Sequence, residues 1–555
     1  KYFRNLNWSI IKKNFMKKNI KLFFPIYGIL ALIIVSCNTN KKTVSNKNPT
    51  ENKVKSISIL HTNDMHGSYM PFETTFDNAT AQTGDSIDNL MKFDRKAFIG
   101  GFDYMVAAIK SIRAIKGDDK VILLDGGDTF SDDQLGNLTK GNAMISMMNK
   151  VGYDLLALGN HDFDYGLART DELQQMANFP MRAANIIDEK TGSPVFGEPY
   201  IIIEKQGVSI AVLSLGYRNT PLTGNSKNIE GLKFGTGIDA IKKYLPIISK
   251  KADIIVLLSH EGMAVDKIIA EEIDGVDLIV GAHSHDVISP PIKINNTYIV
   301  QALSDGAILG ETEIQVSDNK IIALNANYHY LWHDKMSPDS EMKNFISELR
   351  KPYKSQLEEK ITKTNTVIGR QYKSESPFDK MVTSLMIDKF NADAAFLPGV
   401  GYGISLKGEI TSEDIYKLLP HPAKIVTLDM TGEQIRRTLE QTATNLNPVD
   451  KLKTVGGLIQ SSGIEYHLDL NKPVGNRIDA IKIQNEDLNP TKLYKVVTHT
   501  GILNGIHNYD EFGKSTNIVK TETVLTEFVL KNLKEMEELS FPKRMGEVVI
   551  KDKQH

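Results

Sequence analysis

Residues 154–164 read DLLALGNHDFD, and this stretch decides the fold. A run of four apolar residues is followed at once by glycine and then by Asn160, His161 and Asp162. Short apolar runs of this kind predict buried strands. Layered α/β proteins usually place their chemistry in the loops beyond the carboxyl ends of such strands. The stretch therefore predicts an α/β protein with functional side chains at strand ends.

Five more runs of this type lie before and after it. They are SISILHTND (56–64), KVILLDGGD (120–128), VSIAVLSLG (208–216), DIIVLLSH (253–260) and DLIVGAHSH (277–285). Five of the six runs end in His, Asp or Asn, and segments with helical spacing separate them. This repetition predicts a parallel, doubly wound arrangement that gathers polar side chains at one edge.

The residues at these strand ends are of the types that bind transition metals. Asp64/His66 and His283/His285 form i, i+2 pairs that can hold one ion from one side of a loop. Mixed imidazole and carboxylate ligands suit Zn, Mn, Fe or Co better than Ca or Mg. Taken singly, His260 is typical of a hydrogen-bonded core histidine and Asp128 of a turn residue. All five segments together favour a metal centre.

In this order, DMH, GGD, GNHD, SHEG and GAHSH resemble the signature of the calcineurin-like metallophosphoesterases. With the residues that follow, the chain is similar to the bacterial 5′-nucleotidase and UDP-sugar hydrolase family. That resemblance implies an N-terminal αββα sandwich in place of the doubly wound sheet, followed by a smaller α+β C-terminal domain. It also implies hydrolysis of phosphate esters, most directly those of nucleoside 5′-monophosphates, with two divalent ions such as Zn or Mn.

The resemblance also implies a role for each residue. Asp64, His66 and His285 would hold one metal, Asn160, His260 and His283 the other, and Asp128 would bridge them. His161 would be the catalytic imidazole and Asp164 its orienting carboxylate, because a carboxylate on one ring nitrogen fixes the tautomer and stabilises the imidazolium.

The second domain departs from the family pattern. The family's phosphate-binding arginine has no counterpart in PGVGYG (398–403), and Leu458 stands near the first base-stacking position. Tyr509, at the second stacking position, and Tyr402 are the predicted substrate-binding residues, with an ordinary core aromatic as the alternative for Tyr509. PGVGYG also resembles the thiosulfohydrolases of sulfur oxidation, but the retained Asn160 and His161 favour phosphate.

The N-terminal residues predict export. From Met16 a basic start precedes an apolar run, Leu22 to Val35, which is too short to span a bilayer and ends in a lipobox-like Ile34-Val35-Ser36-Cys37. We expect residues 1–15 to be a start-site artefact, 16–37 a lipoprotein signal peptide and 38–55 a disordered tether. The predicted protein is exported and lipid-anchored at Cys37, in the periplasm or on the cell surface.

Two domains follow in the prediction, at 56–335 and 362–552, joined by a linker helix at 336–361 that can act as a hinge. The 66 basic and 68 acidic residues of the 555 give a net charge of −2, so no global field attracts nucleic acid. Cys37 is the only cysteine, which excludes an internal disulfide. The oligomeric state is not predicted. Two alternatives to the phosphoesterase remain. One is a thiosulfohydrolase-like enzyme, and the other is a non-catalytic, metal-containing binding lipoprotein.

Overall fold

The computed structural model describes residues 54–74, 93, 95–400, 403–543 and 545–551. The predicted start-site segment, the signal peptide with Cys37 and nearly all of the tether lie outside these residues, as does Tyr402. Within the described ranges, no helix has both the length and the apolar character needed to cross a bilayer.

Two six-stranded sheets carry the predicted strand runs. One sheet has the strand order Lys320–Tyr330, Ile308–Ser317, Lys55–Thr62, Val121–Asp125, Leu155–Ala157 and Met181–Arg182. The other has the order Ile292–Ile294, Thr297–Val300, Leu278–Gly281, Ile254–Ser259, Val208–Leu215 and Tyr200–Lys205. All six predicted runs are central strands, and where two of them are neighbours in a sheet they pair in parallel. Their carboxyl ends therefore lie at a common edge of each sheet.

The two sheets pack face to face. Ile57 and Ile122 of the first sheet share one buried cluster with Val212 and Val256 of the second. Because side chains alternate between the faces of a strand, Leu60 and Leu123 instead meet helices on the outer face. Four helices pack on the first sheet, at Phe102–Lys116, Gln134–Thr139, Asn142–Asn149 and Leu167–Met176. Two more, at Gly237–Ile248 and Met263–Glu272, pack on the second sheet. The expected αββα sandwich is confirmed, and the doubly wound single sheet is wrong.

The C-terminal part mixes smaller sheets with helices. A five-stranded sheet has the order Gln460–Ser462, Ala394–Leu397, Leu493–His499, Lys424–Thr431 and Thr516–Val524. A four-stranded sheet has the order Glu486–Asp487, Ile478–Ile483, Ile464–Asp469 and Val548–Lys551, and Lys360–Ile368 pairs with Leu406–Thr411. The helices lie at Pro377–Phe390, Ser412–Leu418, Gly432–Leu446, Thr500–Leu503 and Leu525–Lys534. The predicted α+β character of this part is confirmed.

Helix Ser340–Arg350 lies within the segment predicted as a linker. Its buried Met342 and Ile346 pack into the helix layer of the first sheet, so this helix belongs to the sandwich by its contacts. A 3-10 turn at Lys351–Tyr353 follows, at the predicted break around Pro352. The domain boundaries themselves stay a prediction.

A buried ion pair joins this helix to the C-terminal part. The Arg350 guanidinium donates to both carboxylate oxygens of Glu413, at 2.8 and 2.9 Å, and the Tyr69 hydroxyl donates to the same carboxylate at 2.5 Å. The side chains of Arg350 and Glu413 are only 11% and 9% exposed. Solvent screens such a pair little, and removal of one partner leaves the other charge buried.

We predict that Glu413→Ala lowers the free energy of unfolding by about 3–5 kcal/mol, because it leaves the buried Arg350 charge without this carboxylate. Urea unfolding of the purified protein measures the change. The control is Glu409→Ala, which removes an ion pair to Lys360 between side chains 57% and 72% exposed, and its cost is below about 1 kcal/mol. Equal effects of the two substitutions would contradict the prediction.

Candidate metal centre

Loops at the carboxyl ends of five strands carry the seven predicted metal ligands. Five of the seven are non-glycine residues with positive φ: Asp64 (50°), His66 (45°), Asp128 (55°), His283 (70°) and His285 (54°). Residues other than glycine rarely adopt this conformation, which costs on the order of 1–2 kcal/mol each. Such strain gathers at functional sites, where the surrounding structure holds it in place.

The structure brings these side chains together in two groups. Asp64, His66 and His285 place ligand atoms within 4.8 Å of one another, and so do Asp128, His260 and His283. The Nε2 atoms of His66 and His285 lie 3.1 Å apart. The two groups adjoin, since His260 Nε2 is 3.0 Å from Asp128 Oδ2 and 3.8 Å from Asp64 Oδ1.

Hydrogen bonds fix which ring nitrogens face this cluster. His260 Nδ1 lies 2.6 Å from the Gly126 carbonyl oxygen, and His66 Nδ1 lies 2.8 Å from Asp132 Oδ2. Because each Nδ1 donates to an oxygen, Nε2 is the ring nitrogen that faces the cluster. A lone pair on His260 Nε2 would face the Asp128 carboxylate, which is unfavourable unless a proton or a cation lies between them.

A buried polar atom without a partner supports the same interpretation. Asn160 Oδ1 has no hydrogen-bond partner among the described residues. Burial opposes the charged form of His260, but the carboxylates of Asp128 and Asp64 raise its pKa to about 10. Burial likewise opposes ionisation of Asp64, yet His285 lowers its pKa to about 2. This donor set, rich in negative charge and imidazole nitrogen, fits divalent transition-metal ions.

His161 and Asp164 form the predicted pair beside this cluster. His161 Nδ1 lies 2.8 Å from Asp164 Oδ2, and the His161 ring meets His66 edge-on with centroids 5.2 Å apart. The backbone N–H of His161 donates to Asp128 Oδ1 at 2.7 Å. The His161 side chain is 14% exposed. The imidazole thus lies at the cluster's border, tied to it through Asp128.

Asp132 is a site residue that sequence reasoning missed. Its Oδ2 lies 2.8 Å from His66 Nδ1 and 3.1 Å from His161 Nδ1, so one carboxylate orients both rings. The side chain is 1% exposed. Its position in GGDTFSDD, beyond the strand end, gives no local signal, because Asp is common in any such turn.

Asp162 is the last residue of GNHD, and sequence reasoning predicted no role for it. Its side chain connects two of the loops that carry predicted metal ligands. Its carboxylate accepts backbone N–H bonds from Asp128 (3.0 Å), Thr129 (3.1 Å) and Gly159 (2.8 Å). Burial raises the pKa of Asp162 to about 7, and the amide bonds act in the opposite direction. The loops that carry Asp128 and Asn160 are therefore held by one buried side chain.

A cavity of about 150 Å³ adjoins the centre, lined by His66, Asp128, Asn160, His161, His283 and His285 on one side. The C-terminal part contributes Arg370, Tyr372, His421, His499 and His507. Tyr509, predicted to stack on a substrate, is 1% exposed in the C-terminal core, where its hydroxyl meets Thr442 Oγ1 at 3.1 Å. The structure therefore places Tyr509 in its alternative role as a core aromatic, and Tyr372 on the cavity wall.

Sequence reasoning also missed Arg370, which lies outside PGVGYG. Its guanidinium forms a two-bond pair with Asp379, from Nε to Oδ2 at 3.1 Å and from Nη2 to Oδ1 at 3.0 Å. Arg370 is 4% exposed. It brings a cation to the cavity wall, but one already paired with a carboxylate.

Comparisons with known proteins agree with this geometry. Residues 57–287 match the family described as calcineurin-like phosphoesterase, and residues 356–514 match the 5′-nucleotidase C-terminal domain. The chain is 28% identical to a 5′-nucleotidase of Vibrio cholerae, over 79% of this chain and 83% of the relative. It is 25% identical to protein UshA of Escherichia coli, over 85% of this chain and 89% of that protein.

Two solved structures share the fold. The 5′-nucleotidase precursor of Thermus thermophilus has a TM-score of 0.80 at 23% identity, covering 90% of this chain and 100% of that chain. The sulfate thiohydrolase SoxB of the same organism, in complex with glycerol, has a TM-score of 0.81 at 21% identity, covering 90% and 97%. Identities this low show the fold alone.

The sandwich and its strand-end cluster define a metallophosphoesterase, and hence a hydrolase. The chain has the two-domain architecture of the 5′-nucleotidases, in which this domain precedes a 5′-nucleotidase C-terminal domain.

We predict that Asp162→Asn weakens metal binding about 10–100-fold, the usual cost of losing a residue that supports ligands. An asparagine side chain would place its NH₂ group where one carboxylate oxygen now accepts backbone N–H bonds, so two donors would face each other. Competition with a chelator measures the affinity. Asp188→Asn is the control, because Asp188 accepts two backbone N–H bonds in an unrelated turn. Unchanged affinity in Asp162→Asn would show that the loops hold without this carboxylate.

Proposed function

We propose that the protein hydrolyses nucleoside 5′-monophosphates or related nucleotides with two divalent ions, Zn, Mn or similar. The observation that carries the proposal is the convergence of six predicted ligands on one cluster beside the His161–Asp164 pair, with Asn160 on the wall of the same cavity. The names of relatives, 5′-nucleotidase among them, support the nucleotide as substrate. A binding lipoprotein has no need of an oriented imidazole, so His161 argues against the non-catalytic alternative.

The ligand assignment follows the two groups. Asp64, His66 and His285 would hold one ion, and Asn160, His260 and His283 the other. Asp128 would bridge them, since it contacts His260 on one side and shares a second group with His66 and His161. Bound ions of this kind polarise a phosphoryl oxygen and supply a nucleophile from water at neutral pH.

His161 stabilises the charge that develops during the reaction. Its Nδ1 is held by Asp164 and Asp132, so the ring presents Nε2 when it gives a proton or hydrogen bond to the substrate. These carboxylates, together with Asp128, outweigh burial and raise the pKa of His161 above its ordinary value. These carboxylates thus favour the protonated ring, which suits a group that donates to an anionic ester.

The C-terminal wall of the cavity receives the rest of the substrate. Tyr372 lies on that wall, whereas Tyr509 does not, so the Tyr372 ring is the aromatic group available to a base. Base–aromatic stacking is typically worth about 1–3 kcal/mol. A nucleoside therefore has an apolar, aromatic surface to contact. Sulfur chemistry is less well supported, because the likeness to the thiohydrolase rests on fold alone.

We predict that His161→Ala keeps its two ions but lowers kcat about 10²–10⁴-fold, the usual contribution of such a group. Asp128→Ala is expected to lose metal first, because both ions depend on it. The measurements are metal content by mass spectrometry and phosphate release from AMP and p-nitrophenyl phosphate. A fully loaded Asp128→Ala would refute the bridging role. Wild-type protein that releases sulfate from a cysteine S-thiosulfonate, but no phosphate from AMP, would refute the phosphoesterase.

We also propose that the protein is exported and anchored by lipid at Cys37, a residue outside the described ranges. The apolar run that ends in Ile34-Val35-Ser36-Cys37 supports this. Cys37→Ala is then expected to lose the acyl chains and shift from the membrane to the soluble fraction. Cell fractionation and mass spectrometry of the N-terminal peptide check the prediction, and an unacylated Cys37 in the wild type would overturn it.

A further inference from the structure

A separate set of ligand-type side chains lies next to the dinuclear cluster. Asp132, His161, Asp164 and His421 each place one ligand atom within 4.8 Å of all the others. His421 comes from the C-terminal part, between Pro420 and Pro422, and its ring lies nearly parallel to that of His161, with centroids 5.4 Å apart and planes 11° apart. The set thus has two carboxylates and two imidazoles, contributed by both parts of the chain.

Asp132 supplies an independent observation. Its Oδ2 is taken by His66 and His161, whereas its Oδ1 is buried and has no hydrogen-bond partner among the described residues. This oxygen is 3.7 Å from His421 Nε2, too far for a hydrogen bond. A buried carboxylate oxygen without a donor is costly, and a cation bound to the Asp132 carboxylate satisfies it.

Three spacings within this set lie near those of a tetrahedral site. Bonds of about 2.0–2.2 Å to nitrogen and oxygen give ligand-to-ligand distances of roughly 3.3–3.5 Å. His161 Nδ1 is 3.1 Å from Asp132 Oδ2 and 2.8 Å from Asp164 Oδ2, and His421 Nδ1 is 3.6 Å from Asp164 Oδ2. These values bracket the expected spacing, so small side-chain shifts complete it. Two imidazoles select Zn²⁺ or Co²⁺ over Mg²⁺ or Ca²⁺.

We propose that these four residues form a third metal site, which binds a zinc-type ion and inhibits the enzyme. The ion takes the place of the His161 Nδ1 proton, which leaves to solvent, and it draws Asp164 away from the ring. His161 then loses the carboxylate that orients it. A cavity of about 930 Å³ lined by Asp132, His161, Asp164 and His421 gives the ion a way in. The inhibition rests on the proposed role of His161, whereas binding of the ion does not.

The test is a zinc titration of the full-length protein loaded with two ions. Equilibrium dialysis with metal analysis is expected to show a third equivalent, and p-nitrophenyl phosphate turnover to fall at least tenfold as it binds. Mg²⁺ should do neither. His421→Gln is expected to stop at two equivalents and to keep its own two-ion activity in excess zinc. His467→Gln is the control, since His467 also lies 3.6 Å from a carboxylate, that of Asp479, but on the surface.

Two results would overturn the proposal. One is wild-type protein that binds only two zinc ions, and the other is His421→Gln that still binds three and is still inhibited. If His421→Gln does not fold, the wild type alone decides. One equivalent of Co²⁺ added to protein that already holds two zinc ions adds a visible absorption band if it enters a tetrahedral site, because d¹⁰ Zn²⁺ has no such band. These metal counts stand even if the substrate is not a nucleotide, so the two proposals fail separately.

Discussion

Electrostatic repulsion between buried carboxylates at the edges of the two sheets is the constraint on which the rest of the structure depends. Asp64 and Asp128 are buried there, at 0% and 2% exposure, among imidazoles whose Nε2 atoms face inward. Without cations such an arrangement opposes folding, since buried carboxylates repel each other and lack water. The sandwich core of Ile, Val and Leu offsets this cost. The same core holds the ligand loops in place although several of their residues have left-handed backbone conformations.

Glycines beside the ligands leave the space that these closely packed loops need. A Cβ on Gly159 would overlap the Asp128 carboxylate, and one on Gly126 would lie 2.6 Å from that of Ala282. Gly127 has a φ of 96° and lies against the Ala157 carbonyl. The close approach of the two sheets' loops thus depends on absent side chains as much as on the ligands.

The sequence predicted the strands and the ligand cluster because both follow local patterns. A short apolar run marks a buried strand, and a polar residue after it marks the sheet edge. Periodicity did not separate one sheet from two, since strands buried on both faces look alike in either arrangement. The sandwich came from the family resemblance. Asp132 and Asp162 were missed because their roles are set by partners distant in sequence. Whether Tyr509 faces the core or a cavity is likewise decided by packing.

The C-terminal part and the catalytic loop are mechanically linked. Asp132 directly precedes Asp133, whose carboxylate caps helix Gln134–Thr139. From this helix Gln134 donates to Ser412 Oγ at 3.1 Å and Asn137 donates to the Pro420 carbonyl at 2.8 Å, next to His421. Any movement that opens the cavity by carrying the C-terminal part away has to break these bonds, each worth about 0.5–1.5 kcal/mol, and the Arg350–Glu413 pair with them. The segment that orients His66 and His161 is therefore also bonded directly to the C-terminal part.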